Sequence, residues 1–240
     1  MTQEPPSTNA YFQEIIARYP EKTPGLSYEV LFRPSQLGTS TIEDFYQQLA
    51  ESALLSLTLT QLHQLAETDY SQMDIVSPTC HHIARLFVNI EARVLPLVEA
   101  ELIWLNDTLR LQHDIELVIE ITERVPPEQV QAVFRSVAYL HDVGLKIALD
   151  DFEPNYDLRA PWLKTGCIAY IKLILPPNFE NDAQVRLSFI EHIYQLKDIS
   201  TCNVIVEKVE TLEQFWLMEQ VPYDGLQGYL FSRPKRLAEP

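Results

Sequence analysis

The sequence predicts an α/β fold, a TIM-like (β/α)8 barrel in which the first strand is antiparallel to the second. Short apolar runs of strand length alternate with helical patterns along the chain, which is typical of mostly parallel α/β proteins. The first two runs are joined by a Pro/Gly turn, residues 19–25, which is too short for a crossover helix and indicates an antiparallel pair. About eight strands in 240 residues favour a closed barrel over an open sheet.

The N-terminal half opens with predicted strands at residues 10–16 and 26–32. Residues 41–53 are predicted to be helical because Phe45, Leu49 and Ala53 recur at four-residue spacing, with Ser40 or Thr41 as the cap. The remaining elements expected in this half are helix 56–67, strand 84–90 and helix 95–106.

The C-terminal half continues with a strand at 115–121 and then, after Pro126 and Pro127, a helix to about Val143, whose apolar residues share one face. Residues 145–152, LKIALDDF, form a nearly continuous apolar run that ends in two acids, which is typical of a strand buried on both faces. The remaining expected elements are helix 156–164, strand 168–173, helix 182–196, strand 203–206, helix 212–220 and strand 225–230.

Composition limits the classes of function. The chain has 34 acidic and 18 basic residues, a formal charge of −16, which argues against a binder of DNA or RNA duplexes or of anionic membranes. No apolar run reaches the roughly 18 residues of a membrane span, and the polar N-terminus does not resemble a signal peptide. We expect an N-terminal tail, residues 1–9, a single barrel domain, residues 10–240, and a cytoplasmic location. The three scattered cysteines, Cys80, Cys167 and Cys202, are expected to be reduced thiols.

Polar residues lie inside or directly after nearly every predicted strand, at the end where barrels carry their active sites. They are Glu29, Asn89, Glu120, Asp150 with Asp151, Lys172, Glu207 and Gln227. For the Asp-Asp pair alone, a helix cap plus a solvated turn acid is an alternative, but repetition on successive strands favours a shared site.

All of these side chains except Lys172 offer oxygen ligands, which suit hard cations such as Mg²⁺, Mn²⁺ or Ca²⁺. Two such ions about 4 Å apart can clamp a phosphoryl group and activate a water. Lys172 could hold that water, and Arg33 could bind a phosphate oxygen. The residues alone therefore predict a metal-dependent barrel enzyme acting on a phosphate ester or similar anion, with enolate stabilisation as an alternative.

Nine short motifs follow one another along nearly the whole chain. They are Tyr11-Phe12-Gln13, Glu29-Val30-Leu31-Phe32-Arg33, Ala50-Glu51, Val88-Asn89-Ile90, Glu120-Ile121-Thr122-Glu123, Asp150-Asp151-Phe152, Ile171-Lys172, Glu207-Lys208-Val209-Glu210 and Gln227-Gly228-Tyr229. In order and spacing, though not individually, these motifs are specific. The chain resembles the EAL-domain family of cyclic-di-GMP phosphodiesterases.

This resemblance implies a two-ion Mg²⁺ or Mn²⁺ enzyme that opens cyclic-di-GMP to its linear dinucleotide, pGpG. Asp151 would belong mainly to the second ion, with Glu207 as a further ligand. Lys172 would position the attacking water with support from Gln227. The residues implied for the first ion are Glu29, Asn89, Glu120 and Asp150; those implied to contact substrate are Gln13 and Arg33; and Glu123 is implied to brace the loop after Asp151.

The sequence departs from the family where a Gly-Thr-Gly loop is usual and Glu153-Pro154-Asn155 stands instead, and where Lys208 replaces a glycine. Glycine permits backbone angles that glutamate and proline resist. The alternative function is therefore a degenerate, weakly active or inactive EAL domain that serves as a cyclic-di-GMP receptor or binds a regulatory protein. A homodimer is a further expected partner state.

Overall fold

The computed structural model describes residues 7–18, 25–35, 41–72, 82–153 and 156–236. Eight strands form a closed barrel in the order of the chain, from β1 to β8. Their bounds are Thr8–Ala17 (β1), Leu26–Pro34 (β2), Ile83–Ile90 (β3), Glu116–Ile121 (β4), Lys146–Leu149 (β5), Tyr170–Ile174 (β6), Asn203–Glu207 (β7) and Gly225–Leu226 (β8). The barrel predicted from the sequence is confirmed.

The antiparallel first strand is also confirmed. β1 runs antiparallel to both β2 and β8, while every pair from β2 to β8 is parallel. Residues 31–34 of β2 extend beyond its pairing with β3 and pair only with β1 among the strands, so this end of the β1–β2 pair extends past the C-terminal mouth of the barrel.

Helices cover the outside of the barrel: Ile42–Gln48 (α1), Glu51–Ala66 (α2), Glu99–His113 (α3), Val130–Asp142 (α4), Ala183–Ile199 (α5) and Leu212–Met218 (α6). Short 3-10 turns lie at Tyr70–Gln72, Ala92–Leu97, Pro127–Gln129 and Ala160–Thr165. No helix in this described part of the chain combines the length and apolar character that a membrane crossing needs.

The largest departure from the predicted elements is in the first two helices. The predicted helix 41–53 stops at Gln48, and α2 begins at Glu51 rather than at residue 56. The Arg93 guanidinium donates to the carbonyls of Tyr46 at 2.6 Å and Leu49 at 2.8 Å. These bonds satisfy C-terminal carbonyls of α1 and allow the chain to turn there.

Other boundaries shift less. The predicted helix 95–106 is a 3-10 turn followed by α3, and the predicted helix 156–164 is mainly the 3-10 turn Ala160–Thr165. Strand 225–230 shortens to β8. β1 begins at Thr8, inside the expected tail, whose first six residues lie outside the described ranges; the division into tail and barrel stays a prediction. Cys167 and Cys202 are free, and Cys80 is outside those ranges.

Two separate apolar clusters make up the core. The larger one packs the outward faces of the strands against the helices. The smaller one takes one residue from each of six strands and fills the barrel interior with Ile15, Phe87, Val118, Ala148, Tyr170 and Ile205. Side chains along a strand alternate between its two faces, so residues two positions beyond this layer also point inward.

Gly228 provides a test of the close approach between the segments that follow β7 and β8. A Cβ at this position would lie 2.0 Å from the carbonyl oxygen of Val209, so Gly228→Ala forces two backbone segments apart. We expect a loss of about 3 kcal/mol in the free energy of unfolding. Gly166→Ala is the control, because Gly166 has open space but φ of +79°, and a loss of about 1 kcal/mol is expected there. Equal losses in urea unfolding would contradict the close approach.

Candidate active site

The predicted polar residues form one layer directly above the interior apolar layer. Five of them lie two residues beyond a residue of that apolar layer, as Asn89 does beyond Phe87 and Glu120 beyond Val118. The same spacing separates Asp150 from Ala148, Lys172 from Tyr170 and Glu207 from Ile205. The alternation that buries the apolar layer therefore places the polar residues inside the mouth of the barrel.

Lys172 is the centre of this layer. Its side chain is fully buried, and its Nζ lies within ion-pair distance of four carboxylates from different strands. The distances to Nζ are 2.7 Å from Glu207 Oε1, 2.9 Å from Glu120 Oε1, 3.1 Å from Glu29 Oε2 and 3.2 Å from Asp150 Oδ1.

Two amides join this cluster through Glu29. Asn89 Nδ2 donates to Glu29 Oε1 and Gln227 Nε2 donates to Glu29 Oε2, each at 2.7 Å. Gln13 lies opposite Glu29 in the antiparallel pair, but its Nε2 donates to the carbonyl of Ser232 at 3.0 Å. Gln13 is thus buried beside the cluster and tied to the C-terminal segment.

The electrostatics of the cluster are unbalanced, since one ammonium faces four acids. Burial disfavours the charged Lys172, but the four surrounding carboxylates outweigh burial and raise its pKa well above the usual value. Burial raises the pKa of Glu120 well above its usual value and that of Glu207 to about 8, despite Lys172. For Glu29, burial is outweighed by Lys172 and by the two amide donors, so its pKa is lowered.

Asp151 faces a second group of acids at the rim. Its carboxylate, that of Asp150 and that of Glu123 each offer an oxygen, and these oxygens lie within 4.8 Å of one another. Burial and the neighbouring Asp150 raise the pKa of Asp151 to about 6, opposed by the charges of Lys208 and Lys172. Asp151 has φ of +44° and the exposed Lys208 φ of +60°, both in the left-handed region that side chains rarely adopt.

Two cavities open on either side of Asp151. A small cleft of about 240 Å³ is lined by Glu29, Asn89, Asp150 and Asp151, with Arg33 and Arg124 as its cations. A larger cavity of about 1070 Å³ shares Glu123 and Asp151 but is otherwise mainly apolar, with Phe152, Leu173 and Phe189 in its wall.

The residues expected at the edge of the site have specific contacts. The Arg33 guanidinium lies 4.9 Å from the ring centre of Tyr11, which holds it at the cleft. Glu123 Oε1 accepts from Arg124 at 2.8 Å. A bracing role for Glu123 involves the loop at Pro154 and Asn155, which lies outside the described residues, and stays a prediction.

The donor set fits a divalent cation. Asn89 Oδ1, Glu120 Oε2 and Gln227 Oε1 are buried and receive no hydrogen bond from the described residues. Buried oxygens without a donor are expensive, whereas carboxylate and amide oxygens are the ligands that Mg²⁺ and Mn²⁺ prefer. Four acids facing the single charge of Lys172 also leave room for positive charge, which would replace the protons that burial favours on Glu120 and Glu207.

The sequence interpretation missed two ion pairs near the site. Arg124 donates to Glu91 Oε1 at 2.5 Å as well as to Glu123, which links the loops after β3 and β4. Arg159, which is fully buried, forms an ion pair with Asp157 behind Asp150. A cation directly after the Glu-x-Thr-Glu motif was a usable signal for Arg124, but nothing local distinguished Arg159 from a surface residue of a short helix.

The barrel and its acidic mouth define the class: an α/β barrel with an oxygen-rich site around one buried lysine. Residues 11–234 match the EAL domain family, and the chain belongs to that family.

The chain is 32% identical over 217 residues to "Cyclic di-GMP phosphodiesterase PdeL" of Escherichia coli K12, a match that covers 86% of this chain and 57% of PdeL. It is 28% identical over 194 residues to "Probable cyclic di-GMP phosphodiesterase PdeG" of the same organism, covering 78% of this chain and 36% of PdeG. The chain therefore spans little more than half the length of PdeL and about a third of PdeG.

Solved structures share the fold. "PaMucR Phosphodiesterase, c-di-GMP complex" superposes with a TM-score of 0.68 at 21% identity, covering 96% of this chain and 97% of that one. A standalone EAL protein from Vibrio cholerae O395 in a c-di-GMP bound form also gives 0.68, at 18% identity, covering 98% and 94%.

The charge imbalance predicts how stability depends on pH in a chelating buffer. Glu207 has a pKa of about 8, above the ordinary 4.5, so folding favours its protonated form. The stabilisation is complete below about pH 4.5 and is lost as the pH rises towards 8. We expect Glu207→Gln to reduce the loss of unfolding free energy between pH 5 and pH 8 by at least about 1 kcal/mol.

Glu116→Gln is the matched control, because Glu116 is a half-buried acid paired with Arg85 at the opposite end of the barrel. Urea unfolding at each pH gives the comparison. If the unfolding free energy of wild type and of Glu207→Gln fell equally between pH 5 and pH 8, Glu207 would not be the source of the pH dependence.

Proposed function

We propose that this chain is a metal-dependent phosphodiesterase that hydrolyses cyclic-di-GMP to linear pGpG. The observation that carries the proposal is the buried Lys172 ammonium, 2.7–3.2 Å from four carboxylates at the mouth of the barrel. Family membership and the names of the relatives support the substrate. Because the chain spans only part of those relatives, both the activity and the substrate are our inference.

The proposed cofactor is a pair of Mg²⁺ or Mn²⁺ ions. Glu29, Asn89, Glu120 and Asp150 would hold one ion, Asp151 mainly the other, with Glu207 as a further ligand. Such ions, when bound, polarise a phosphoryl oxygen and lower the pKa of a bound water. The buried oxygens of Asn89 and Glu120 that lack donors support this assignment.

Lys172 would orient the attacking water and steady charge that develops on the phosphoryl oxygens. Its raised pKa keeps the ammonium protonated at neutral pH, so it acts as a donor rather than as a base. Glu207, whose Oε1 lies 2.7 Å from Lys172 Nζ, would help to hold the ammonium in place. Gln227 would keep Glu29 oriented, since its amide donates to Glu29 Oε2.

Arg33 and Gln13 would contact the substrate. Arg33 is a cation in a cleft otherwise rich in acids, so it is suited to pair with a phosphate or a polar base edge. In the reaction, the water oxygen bonds to one phosphorus as the bond from that phosphorus to the 3′ oxygen breaks. One proton of the water ends on the 3′ oxygen, which leaves the 5′-phosphate of the linear product.

A cytoplasmic location follows from this substrate as part of the proposal, as a soluble signalling nucleotide would meet the enzyme there. A homodimer and a regulatory protein partner stay predictions.

The experiment compares two glutamates of the same strand. Purified protein is incubated with cyclic-di-GMP and Mg²⁺ or Mn²⁺, and pGpG is followed by chromatography. We expect product that is abolished by a chelator, and a loss of at least about a hundredfold in Glu120→Gln. Glu29→Ala should behave similarly, since it removes an acid and an acceptor for both amides.

Glu116→Gln is the control: Glu116 lies four residues before Glu120 on β4 but pairs with Arg85 at the far end of the barrel. Its turnover should match that of the wild type. Absence of product from the wild type in saturating Mn²⁺ would refute the proposed activity.

The second candidate function is a cyclic-di-GMP receptor without turnover. The observation that favours it is Lys208, which keeps a left-handed backbone suited to glycine and brings a cation towards Asp151. Tight binding of cyclic-di-GMP without product, together with turnover gained in Lys208→Gly, would support the receptor. Binding without such a gain would indicate that the altered loop after Asp151, rather than Lys208, accounts for the missing turnover.

A further inference from the structure

Arg159 is a charged side chain with no access to solvent. It is the largest of the fully buried side chains in the described residues, although it lies in a turn between β5 and β6. Buried arginines require a partner for their charge and acceptors for their five donors. The identity of those acceptors indicates what Arg159 does.

Asp157 supplies the counter-charge. Arg159 Nε donates to Asp157 Oδ1 at 2.9 Å and Nη2 donates to Asp157 Oδ2 at 2.6 Å, which is a bidentate pair. Asp157 Oδ1 also accepts the backbone N–H of Arg159 at 2.7 Å. These contacts within the turn fix the orientation of the guanidinium.

The remaining donors reach two backbone carbonyls at the site. Nη1 donates to Ile121 O at 2.5 Å, at the end of β4, and Nη2 donates to Asp150 O at 2.7 Å. Ile121 directly follows Glu120, and Asp150 is itself one of the four acids around Lys172. One side chain therefore joins the backbones that carry two of the proposed metal ligands.

The Asp150–Asp151 backbone is held from three directions. The Asp150 N–H donates to Ile121 O at 3.1 Å, and the Phe152 N–H donates to Lys172 O at 2.9 Å. Arg159 fixes the peptide oxygen between the two acids. Asp151 keeps its φ of +44° within this frame, a conformation that relaxes unless its surroundings enforce it.

We propose that Arg159, fixed by Asp157, is a positioning residue that holds Asp150 and Asp151 in the geometry for binding the divalent ions. The inference rests on the proposed function for the identity of those ions. It also gives the chain a substitute for loop glycines after the Asp-Asp pair, because Glu153 stands at the first of those positions. Here the Asp150–Asp151 backbone is held by the Arg159 guanidinium, which donates to the carbonyl of Asp150.

Energetics argue for positioning rather than for stability. Desolvation offsets most of the attraction in a buried ion pair, and replacing both partners by apolar residues of similar size is often neutral or stabilising. Removing only one partner leaves an unpaired buried charge and is strongly destabilising. The informative variant is therefore the double substitution Arg159→Met with Asp157→Leu, which removes the pair and both carbonyl contacts.

The experiment measures Mn²⁺ binding through the electron paramagnetic resonance of the free ion, alongside thermal unfolding in a chelator. We expect the double variant to fold with a melting temperature near that of the wild type and to bind Mn²⁺ at least about tenfold more weakly. Backbone amide exchange in peptides covering residues 149–153 should accelerate about tenfold or more, with the β1–β2 peptides unchanged.

The matched control removes the ion pair between Lys197 and Asp224, which are 2.5 Å apart at the opposite end of the barrel. Lys197→Met with Asp224→Leu should leave Mn²⁺ affinity unchanged. Arg159→Lys, which keeps the charge but not the planar fork, should fall between the wild type and the double variant in Mn²⁺ affinity.

Wild-type Mn²⁺ affinity and wild-type exchange at 149–153 in the double variant would overturn this inference while leaving the proposed function standing. A double variant that fails to fold, alongside a folded Arg159→Lys with wild-type affinity, would overturn it as well, since the pair would then serve only stability. Conversely, a wild type that binds Mn²⁺ but forms no pGpG would refute the proposed activity and leave the positioning result readable.

Discussion

The site depends on one buried positive charge placed among four carboxyl groups. Lys172 lies at the level where β2, β4, β6 and β7 converge, with Asp150 just beyond β5, and without it these carboxylates would repel one another at the top of the barrel. The single charge of the ammonium is also too small to neutralise all four acids when they are ionised. The same arrangement that keeps the mouth folded therefore keeps it short of positive charge, which is the property a cation site requires.

The polar layer inherits its position from the apolar layer beneath it. Phe87, Val118 and Tyr170 fill the interior, and the alternation of strand side chains then turns Asn89, Glu120 and Lys172 inward one step higher. The same strands therefore supply both the apolar layer that fills the barrel and the polar layer of the site at its mouth. Support for the layer comes from outside the barrel as well, since Arg159 reaches the backbone behind Asp150.

The strands and the polar layer could be predicted from sequence because both follow from local alternation and order. The break between α1 and α2 could not, because Arg93, from the segment after β3, supplies donors to Tyr46 and Leu49. Arg159 escaped for the same reason: its acceptor Ile121 O lies 38 residues away in sequence. Hydrogen bonds from a side chain to a carbonyl far away in the sequence produce no periodic pattern in the sequence from which they could be predicted.

The shared alternation has a consequence for how such a chain can change in length. Deleting one residue within β4, between Val118 and Glu120, would turn that glutamate outward against the helices and bring an isoleucine into the mouth. Because side chains alternate between the two faces of a strand, inserting or deleting one residue moves every following side chain of that strand to the opposite face. Variation in length is therefore confined to the connections, while the strands can accept only exchanges of one side chain for another.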